Sequence, residues 1–261
     1  MTRRGGSAAS NLSSVRIIVL GGCGAWPAAG QACTGHLVEH DGFQLVVHLG
    51  YATLPRLLEW TAPERVDAAL FSHGHPDHCA DLHPLLRARV LRATPPAALP
   101  VYTLPGAVDL VLALDGPGAM DGACRLHDFA PGDGFEIGPF QVRTWALPHF
   151  VPSAGLRLTA GGRVVAYTGD TGPSDDIPDL ARDADLFIAE ASYPEVVPER
   201  SAPFLSSARQ AGASAARAGA RRLVLTHLLP GSDPEPALHA AREVYGGPIE
   251  VARPGLIVGL D

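Results

Sequence analysis

The stretch FSHGHPDHCADL, from Phe71 to Leu82, places three histidines and an aspartate within six residues, directly after the apolar run VDAALF. These ligand-type side chains are His73, His75, Asp77 and His78. Clustered imidazoles and carboxylates add little to the stability of a fold, whereas together they suit zinc, iron or manganese. The stretch therefore predicts a metal site at the end of a buried strand.

Three more ligand-type residues follow predicted strands further along the chain. His149 follows VRTWALP, Asp170 follows RVVAYTG and His227 follows RLVLT. Taken singly, each is equally well explained as a surface residue or as a hydrogen-bonded core residue. Strand ends and their loops are where a rigid scaffold presents functional groups. Their shared placement therefore favours one site that also includes the first stretch.

The spacing within the first stretch suits two ions. In an extended segment His73 and His75 share a face and can bind one ion, whereas Asp77 and His78 can turn toward a second ion after the intervening proline. Asp170 can bridge the two ions, because one carboxylate offers an oxygen to each. Two ions about 3.5–4 Å apart can hold and activate a hydroxide, so hydrolytic chemistry is expected.

Runs of β-branched and apolar residues alternate with helix-like segments along both halves of the chain. Strands are predicted at VRIIVL, FQLVVHLG, VDAALF, FEIGPFQVRTWAL, RVVAYTGD and RRLVLTH, and helices over 81–92 and over LSSARQAGASAARAGA. This order predicts an α/β (α+β) fold in which two mixed β-sheets pack face to face with helices outside. Residues 15–261 are expected to form a single domain, and residues 1–14 a disordered leader.

Composition and charge argue against several functions. The net charge is −7, all twenty basic residues are arginine, and no basic cluster mixed with aromatics stands out; this argues against tRNA or another nucleic acid as a partner. No apolar run approaches the ~20 residues that span a bilayer, and the leader lacks a secretory apolar region. A cytoplasmic protein with a small-molecule substrate and no membrane partner is expected. The four cysteines form no CxxC pair, so reduced thiols are expected.

The metal motifs together resemble those of a known family. SHGHPDHCADL matches the HxHxDH signature of the metallo-β-lactamase superfamily, and LPHFVPSAGLRL, YTGDTGP and LVLTHLLP are similar to its later metal motifs in the same order. The ribonuclease Z-like and phosphodiesterase-like branch carries His-x-x-Pro-Ser-x-Gly followed by an apolar residue and arginine. This chain has the corresponding residues His149, Pro152, Ser153, Gly155, Leu156 and Arg157.

This resemblance implies a four-layer αβ/βα sandwich, the metallo-β-lactamase fold, with two divalent metal ions. The ions are usually zinc, with manganese and iron as alternatives, and the family reaction is hydrolysis by metal-activated water. By motif match one metal is expected at His73, His75 and His149 and the other at Asp77, His78 and His227, with Asp170 as the bridge. Dimers are common among the resembled proteins, so a homodimer is also an expectation.

Position 48 departs from the family pattern. Family members usually carry an aspartate in an LxDxG stretch, whereas this chain has VVHLG with His48 in that place. One interpretation is an altered environment around the metals, because outer partners orient metal ligands. The alternatives are a tolerated exchange of one hydrogen-bonding residue for another, or an additional metal ligand.

Position 204 is a second departure. In the relatives a histidine stands where Phe204 stands, and in ribonuclease Z-type enzymes it is thought to assist proton transfer. Phenylalanine cannot donate a proton, and such help typically contributes a factor of ~10²–10⁴ in rate. Glu190 in AEASY matches an acidic family position and could partly substitute; the alternative is a strand-end carboxylate in a structural hydrogen bond. Asp77 and Glu190 are therefore the catalytic candidates.

Three functions remain open at this point. The first is hydrolysis of a small phosphodiester such as a cyclic nucleotide, and the second is acyl hydrolysis of a thioester or lactone, which the loss of a proton donor at Phe204 favours. The third is a catalytically retired metal-binding protein. Ser153, Arg157 and Phe204 are candidates for contact with a substrate; the alternative for the first two is a turn serine and a strand-surface arginine.

Overall fold

In the computed structural model, residues 14–116 and 118–261 are described. The first sheet has seven strands within these residues, in the order β14-β1-β2-β3-β4-β5-β6. The expected leader over residues 1–14 lies, apart from Ser14, outside the described residues. The strands of this sheet are β1 (Val15–Gly21), β2 (Gly35–His40), β3 (Phe43–Leu49), β4 (Ala68–Leu70), β5 (Leu99–Thr103), β6 (Cys124–Asp128) and β14 (Ile257–Leu260).

The second sheet also has seven strands in the described part of the chain, in the order β13-β12-β11-β10-β9-β8-β7. In each sheet, antiparallel strands at one side give way to parallel strands at the other. The strands are β7 (Gly134–Ile137), β8 (Phe140–Leu147), β9 (Ser153–Ala160), β10 (Arg163–Tyr167), β11 (Leu186–Glu190), β12 (Leu223–Thr226) and β13 (Ile249–Val251).

Short helices connect the strands and cover the outer faces of the sheets. The longest is α6, which begins after a capping box formed by Ser207 and Gln210 and ends at Gly219, a glycine with a φ of 67°. The helices are α1 (Thr53–Leu57), α2 (Pro76–Cys79), α3 (Leu82–Val90), α4 (Asp109–Leu112), α5 (Ile177–Leu180), α6 (Ala208–Ala218) and α7 (Glu235–Arg242). No described helix is long and apolar enough to cross a bilayer.

Three buried clusters define four layers. The central cluster joins the two sheets, with Leu45 and Val47 from the first and Leu156 and Tyr167 from the second. One outer cluster packs the first sheet against α1 and α3, and the other packs the second sheet against α5, α6 and α7. The predicted sandwich of two mixed sheets between helices is confirmed. The shared central cluster agrees with one domain over 15–261, which stays a prediction.

The parallel strands position the ligand-bearing loops. Consecutive parallel strands run in one direction, so their carboxyl ends meet at one edge of a sheet. β4 ends just before His73, β10 ends just before Asp170 and β12 ends just before His227. Because the two sheets face each other, these loops from both sheets come together above the central cluster.

Candidate metal centre

The first donor group combines His73, His75 and His149 with Asp170, and the potential ligand atoms lie within 4.8 Å of one another. His149 Nε2 lies 3.0 Å from His75 Nδ1. The Nε2 atoms of His73 and His149 each lie 3.8 Å from Asp170 Oδ2. Three imidazole nitrogens and one carboxylate oxygen thus converge on a space suited to a single cation.

The second donor group combines Asp77, His78 and His227 with the same Asp170. Asp77 Oδ2 lies 3.3 Å from His78 Nε2 and 3.2 Å from His227 Nε2. Asp170 Oδ2 lies 3.2 Å from His78 Nε2 and 3.0 Å from His227 Nε2. One carboxylate is therefore common to both donor groups, as a bridging ligand must be.

The local backbone explains how one short segment serves both groups. His75 is extended, with φ −68° and ψ 141°, and Pro76 then starts α2, which turns Asp77 and His78 away from the preceding histidines. His227 has a φ of 64°, in the left-handed region that non-glycine residues rarely adopt. Its N–H donates to the Gly22 carbonyl at 2.8 Å, which helps to hold this strained conformation at a functional site.

The chemistry of the donors fits divalent cations. Buried atoms without a hydrogen-bond partner among the described residues include His73 Nε2, His78 Nε2 and Asp170 Oδ1, and such groups are costly unless a ligand occupies them. The carboxylates of Asp77 and Asp170 lie 3.3 Å and 3.2 Å from His78 Nε2 in a space closed to water. The cluster therefore attracts positive charge, which a metal ion supplies.

Further polar contacts orient the ligands from outside. The Ala25 N–H donates to Asp77 Oδ2 at 2.8 Å, and His149 Nδ1 donates to the Phe204 carbonyl at 2.9 Å. Such partners fix the orientation and tautomer of metal ligands. The backbone partners leave no trace in the sequence, because any residue type supplies an N–H or a carbonyl.

A two-step hydrogen-bond chain holds His227. The Ser192 hydroxyl donates to Glu190 Oε1 at 2.6 Å and therefore accepts from His227 Nδ1, 2.9 Å away. Glu190 also accepts from the Thr171 and Ser206 N–H groups, and it is 1% exposed. Burial and the nearby Asp170 raise the pKa of Glu190 to about 8. These contacts favour a positioning role for Glu190, and its expected catalytic role stays a prediction.

The three candidates for substrate contact lie in different surroundings. Ser153 is buried and donates to the Asp170 carbonyl at 3.2 Å, so it supports the loop that carries the shared carboxylate. The guanidinium of Arg157 donates to the carbonyls of Leu180 and Arg182, at 2.9 Å each, at the end of α5. This placement of Arg157 favours a structural role over the expected contact with a substrate.

Phe204 is one of four aromatic residues on loops that contact the donor groups, Trp26, Tyr51, Phe150 and Phe204, which we call the aromatic rim. The Phe150 ring lies 4.6 Å from the Phe204 ring and 5.3 Å from the His149 ring. Trp26 follows Ala25, which contacts Asp77, and burial and the Asp77 carboxylate raise the pKa of Tyr51. Trp26 is 55% and Phe150 53% exposed, so both rings are open to solvent.

The Cys79 side chain is buried in the outer cluster of the first sheet. Its thiol is fully buried and donates to the His75 carbonyl at 3.3 Å, and burial and the charge of Asp77 raise its pKa to about 12. A neutral thiol is a poor metal ligand, because the thiolate is the binding form.

Comparison with known proteins assigns the family. A model described as "Beta-lactamase superfamily domain" matches residues 41–228. The chain is 29% identical to a probable metallo-hydrolase, YhfI, of Bacillus subtilis over 93% of this chain and 99% of that protein. It is 32% identical to an uncharacterized protein of Mycobacterium leprae, over 93% and 87% of the two chains, and 26% identical to a ribonuclease Z of Haloferax volcanii, over 93% and 94%.

Comparison with solved structures supports the same assignment. The crystal structure of the metallo-β-lactamase-fold protein YhfI from B. subtilis has a TM-score of 0.86, at 27% identity, covering 95% of this chain and 100% of that one. The fold and the two donor groups define a metallo-hydrolase of the metallo-β-lactamase fold. The chain belongs to the β-lactamase superfamily, and its relatives include a ribonuclease Z.

Proposed function

We propose that this enzyme hydrolyses a small phosphodiester, such as a cyclic nucleotide, at a site that holds two divalent metal ions. The observation that carries the proposal is the single carboxylate of Asp170, which is shared by two otherwise separate donor groups. Zinc is the metal we propose, because imidazole and carboxylate donors suit it. Manganese and iron fit the same donors.

When bound, a pair of cations supplies an activated water and absorbs the charge that develops on the phosphoryl oxygens. The residues of the chain arrange this chemistry. His73, His75 and His149 would hold the first cation, whereas Asp77, His78 and His227 would hold the second. The Ala25 N–H fixes the Asp77 carboxylate from outside at 2.8 Å, so that its oxygen stays directed at the second donor group.

The aromatic rim supports a substrate with a planar ring. Base–aromatic stacking contributes about 1–3 kcal/mol per base and tolerates any base, because each base has a π-face. Trp26 and Tyr51 directly follow Ala25 and Gly50, which contact Asp77, whereas Phe150 and the Phe204 carbonyl contact His149. A cyclic nucleotide combines one phosphodiester with one planar base that such a ring could stack on.

Charge argues for the same substrate size. The protein has a net charge of −7 and no lysine, whereas proteins that grip long nucleic acids present clustered basic side chains. We therefore propose a small-molecule substrate rather than tRNA. The four cysteines are free thiols, which fits the proposed cytoplasmic location, and a homodimer is the proposed assembly.

Phe204 favours a second candidate, hydrolysis of a thioester or another acyl compound. Its phenyl ring has no proton to give to a leaving alkoxide, and the Nδ1–H of the nearby His149 already donates to the Phe204 backbone carbonyl. A thiolate leaves without a proton, so a thioester does not need the missing acid.

A substrate panel on metal-replete protein tests the proposal. We expect turnover of bis-p-nitrophenyl phosphate and of at least one cyclic nucleotide, with loss of both activities in Asp170→Asn. Turnover of thioesters alone would replace the proposed function by the acyl hydrolase. Two bound metals with no hydrolysis of either class would refute both candidates.

A further inference from the structure

His48 sits behind the second donor group and is fully buried. Its Nε2 accepts the Ser72 N–H at 2.9 Å, and its Nδ1 lies 2.8 Å from His78 Nδ1 and 3.3 Å from the Tyr167 hydroxyl. A nitrogen pair at 2.8 Å requires one donor and one acceptor. Which of the two nitrogens donates follows from the other contact of His48, the one with the backbone N–H of Ser72.

The Ser72 N–H can only donate, so His48 Nε2 must carry a lone pair. A charged imidazole would carry hydrogens on both nitrogens, which this contact excludes. A neutral imidazole carries its single hydrogen on the other nitrogen, here Nδ1. His48 therefore faces His78 as a hydrogen-bond donor.

His78 must then accept at Nδ1 and carry its own hydrogen on Nε2. That Nε2 atom is the one directed at the carboxylates, 3.3 Å from Asp77 and 3.2 Å from Asp170. A cation bound at His78 needs the Nε2 lone pair, so the hydrogen of His78 must move to Nδ1. Two N–H donors, those of His48 Nδ1 and His78 Nδ1, would then face each other without an acceptor. A carboxylate at position 48 would instead accept from both Ser72 and His78.

Other ligand imidazoles do not face this conflict. His149 Nδ1 donates to a carbonyl, and His227 Nδ1 donates to the Ser192 hydroxyl. His73 Nδ1 lies 2.9 Å from the Ser72 hydroxyl, an oxygen that can accept. Among these four ligand imidazoles, the mismatch is therefore confined to His78.

We propose that His48 makes the second metal position weaker than the first, so that the protein holds its two cations with unequal affinity. The inference rests on the proposed two-metal site but not on the identity of the substrate. Outer partners typically change metal affinity by about 10–100-fold. We expect a gap of this size between the two positions.

The test is equilibrium titration of metal-free protein with Zn²⁺ against a competing chelator, with bound metal counted by mass spectrometry. We expect one tight and one weaker equivalent in the wild type. His48→Asp should strengthen the weaker equivalent by about 10–100-fold and leave the tight one unchanged. His48→Asn is the matched control: its amide offers one acceptor and one donor, so it should recover less affinity than His48→Asp.

Two equal affinities in the wild type would overturn the inference, as would a gap that His48→Asp leaves unchanged. Should that variant not fold, ¹⁵N NMR of the metal-free wild type decides, since imidazole shifts report which nitrogen is protonated. Hydrogen on His48 Nδ1 supports the inference, and hydrogen on His78 Nδ1 overturns it. Absence of phosphodiester turnover with two unequal metals bound would refute only the proposed function.

Discussion

The two sheets contribute to the metal centre in different ways. The first sheet supplies four ligands from a single segment of six residues, His73 to His78, in which Pro76 and α2 set the geometry locally. The second sheet supplies one ligand from each of three strand ends, namely His149, Asp170 and His227. The comparison shows that one half of the site depends on local backbone, whereas the other depends on the packing of the whole sheet.

The largest loss of activity is expected when Asp170, whose carboxylate is shared by the two donor groups, is replaced. Asp170→Asn removes the charge shared by both donor groups, so both metals should bind more weakly and turnover should fall by about 10³-fold, a barrier increase of roughly 4 kcal/mol. Metal counting and steady-state kinetics measure this. Asp175→Asn, at an exposed residue of the same loop between β10 and α5, is the matched control; an equal loss there would show that Asp170 has no special role.

A gain of activity is expected next, at the loop that covers His149. Phe204→His restores a proton donor next to the first donor group and should raise phosphodiester turnover by up to about 10²-fold, with little effect on thioesters. Parallel assays of the two substrate classes show the contrast. An unchanged phosphodiester rate would mean that the loss of a donor at this position does not limit the reaction.

A smaller loss is expected where a second-sheet ligand is held from outside. Ser192→Ala removes the hydroxyl that accepts from His227 Nδ1, which should weaken metal binding by about 10-fold or more. Chelator competition measures the change. Ser214→Ala, on α6, is the control and should keep wild-type affinity; unchanged affinity in Ser192→Ala would show that strand packing alone orients His227.

The smallest effect on activity is expected at Arg157. Its guanidinium holds the carbonyls of Leu180 and Arg182, so Arg157→Ala should lower the free energy of unfolding by about 1–3 kcal/mol while KM and kcat stay near the wild-type values. Denaturant titration and kinetics separate the two quantities. A large rise in KM would restore the expected substrate contact.

Prediction from the sequence was most successful where the candidate metal ligands lie close together along the chain. The HxHxDH stretch and the strand-end residues include all seven side chains of the two donor groups, and the alternation of strands and helices predicted the layers. It missed Ser192, because a serine after AEA resembles any turn serine. It also missed the aromatic rim, since Trp26, Tyr51 and Phe150 share no spacing in the chain.

By itself, the sequence determined the ligand types, the order of the metal motifs and the two-sheet sandwich, because residue chemistry and hydrophobic periodicity are written along the chain. Only the tertiary structure decided that one oxygen of Asp170 faces both donor groups, that Arg157 turns to α5, and that His48 meets His78 nitrogen to nitrogen. The physical reason is that hydrogen-bond donors and acceptors from distant strands find their partners only when the sheets pack and water is excluded from between them.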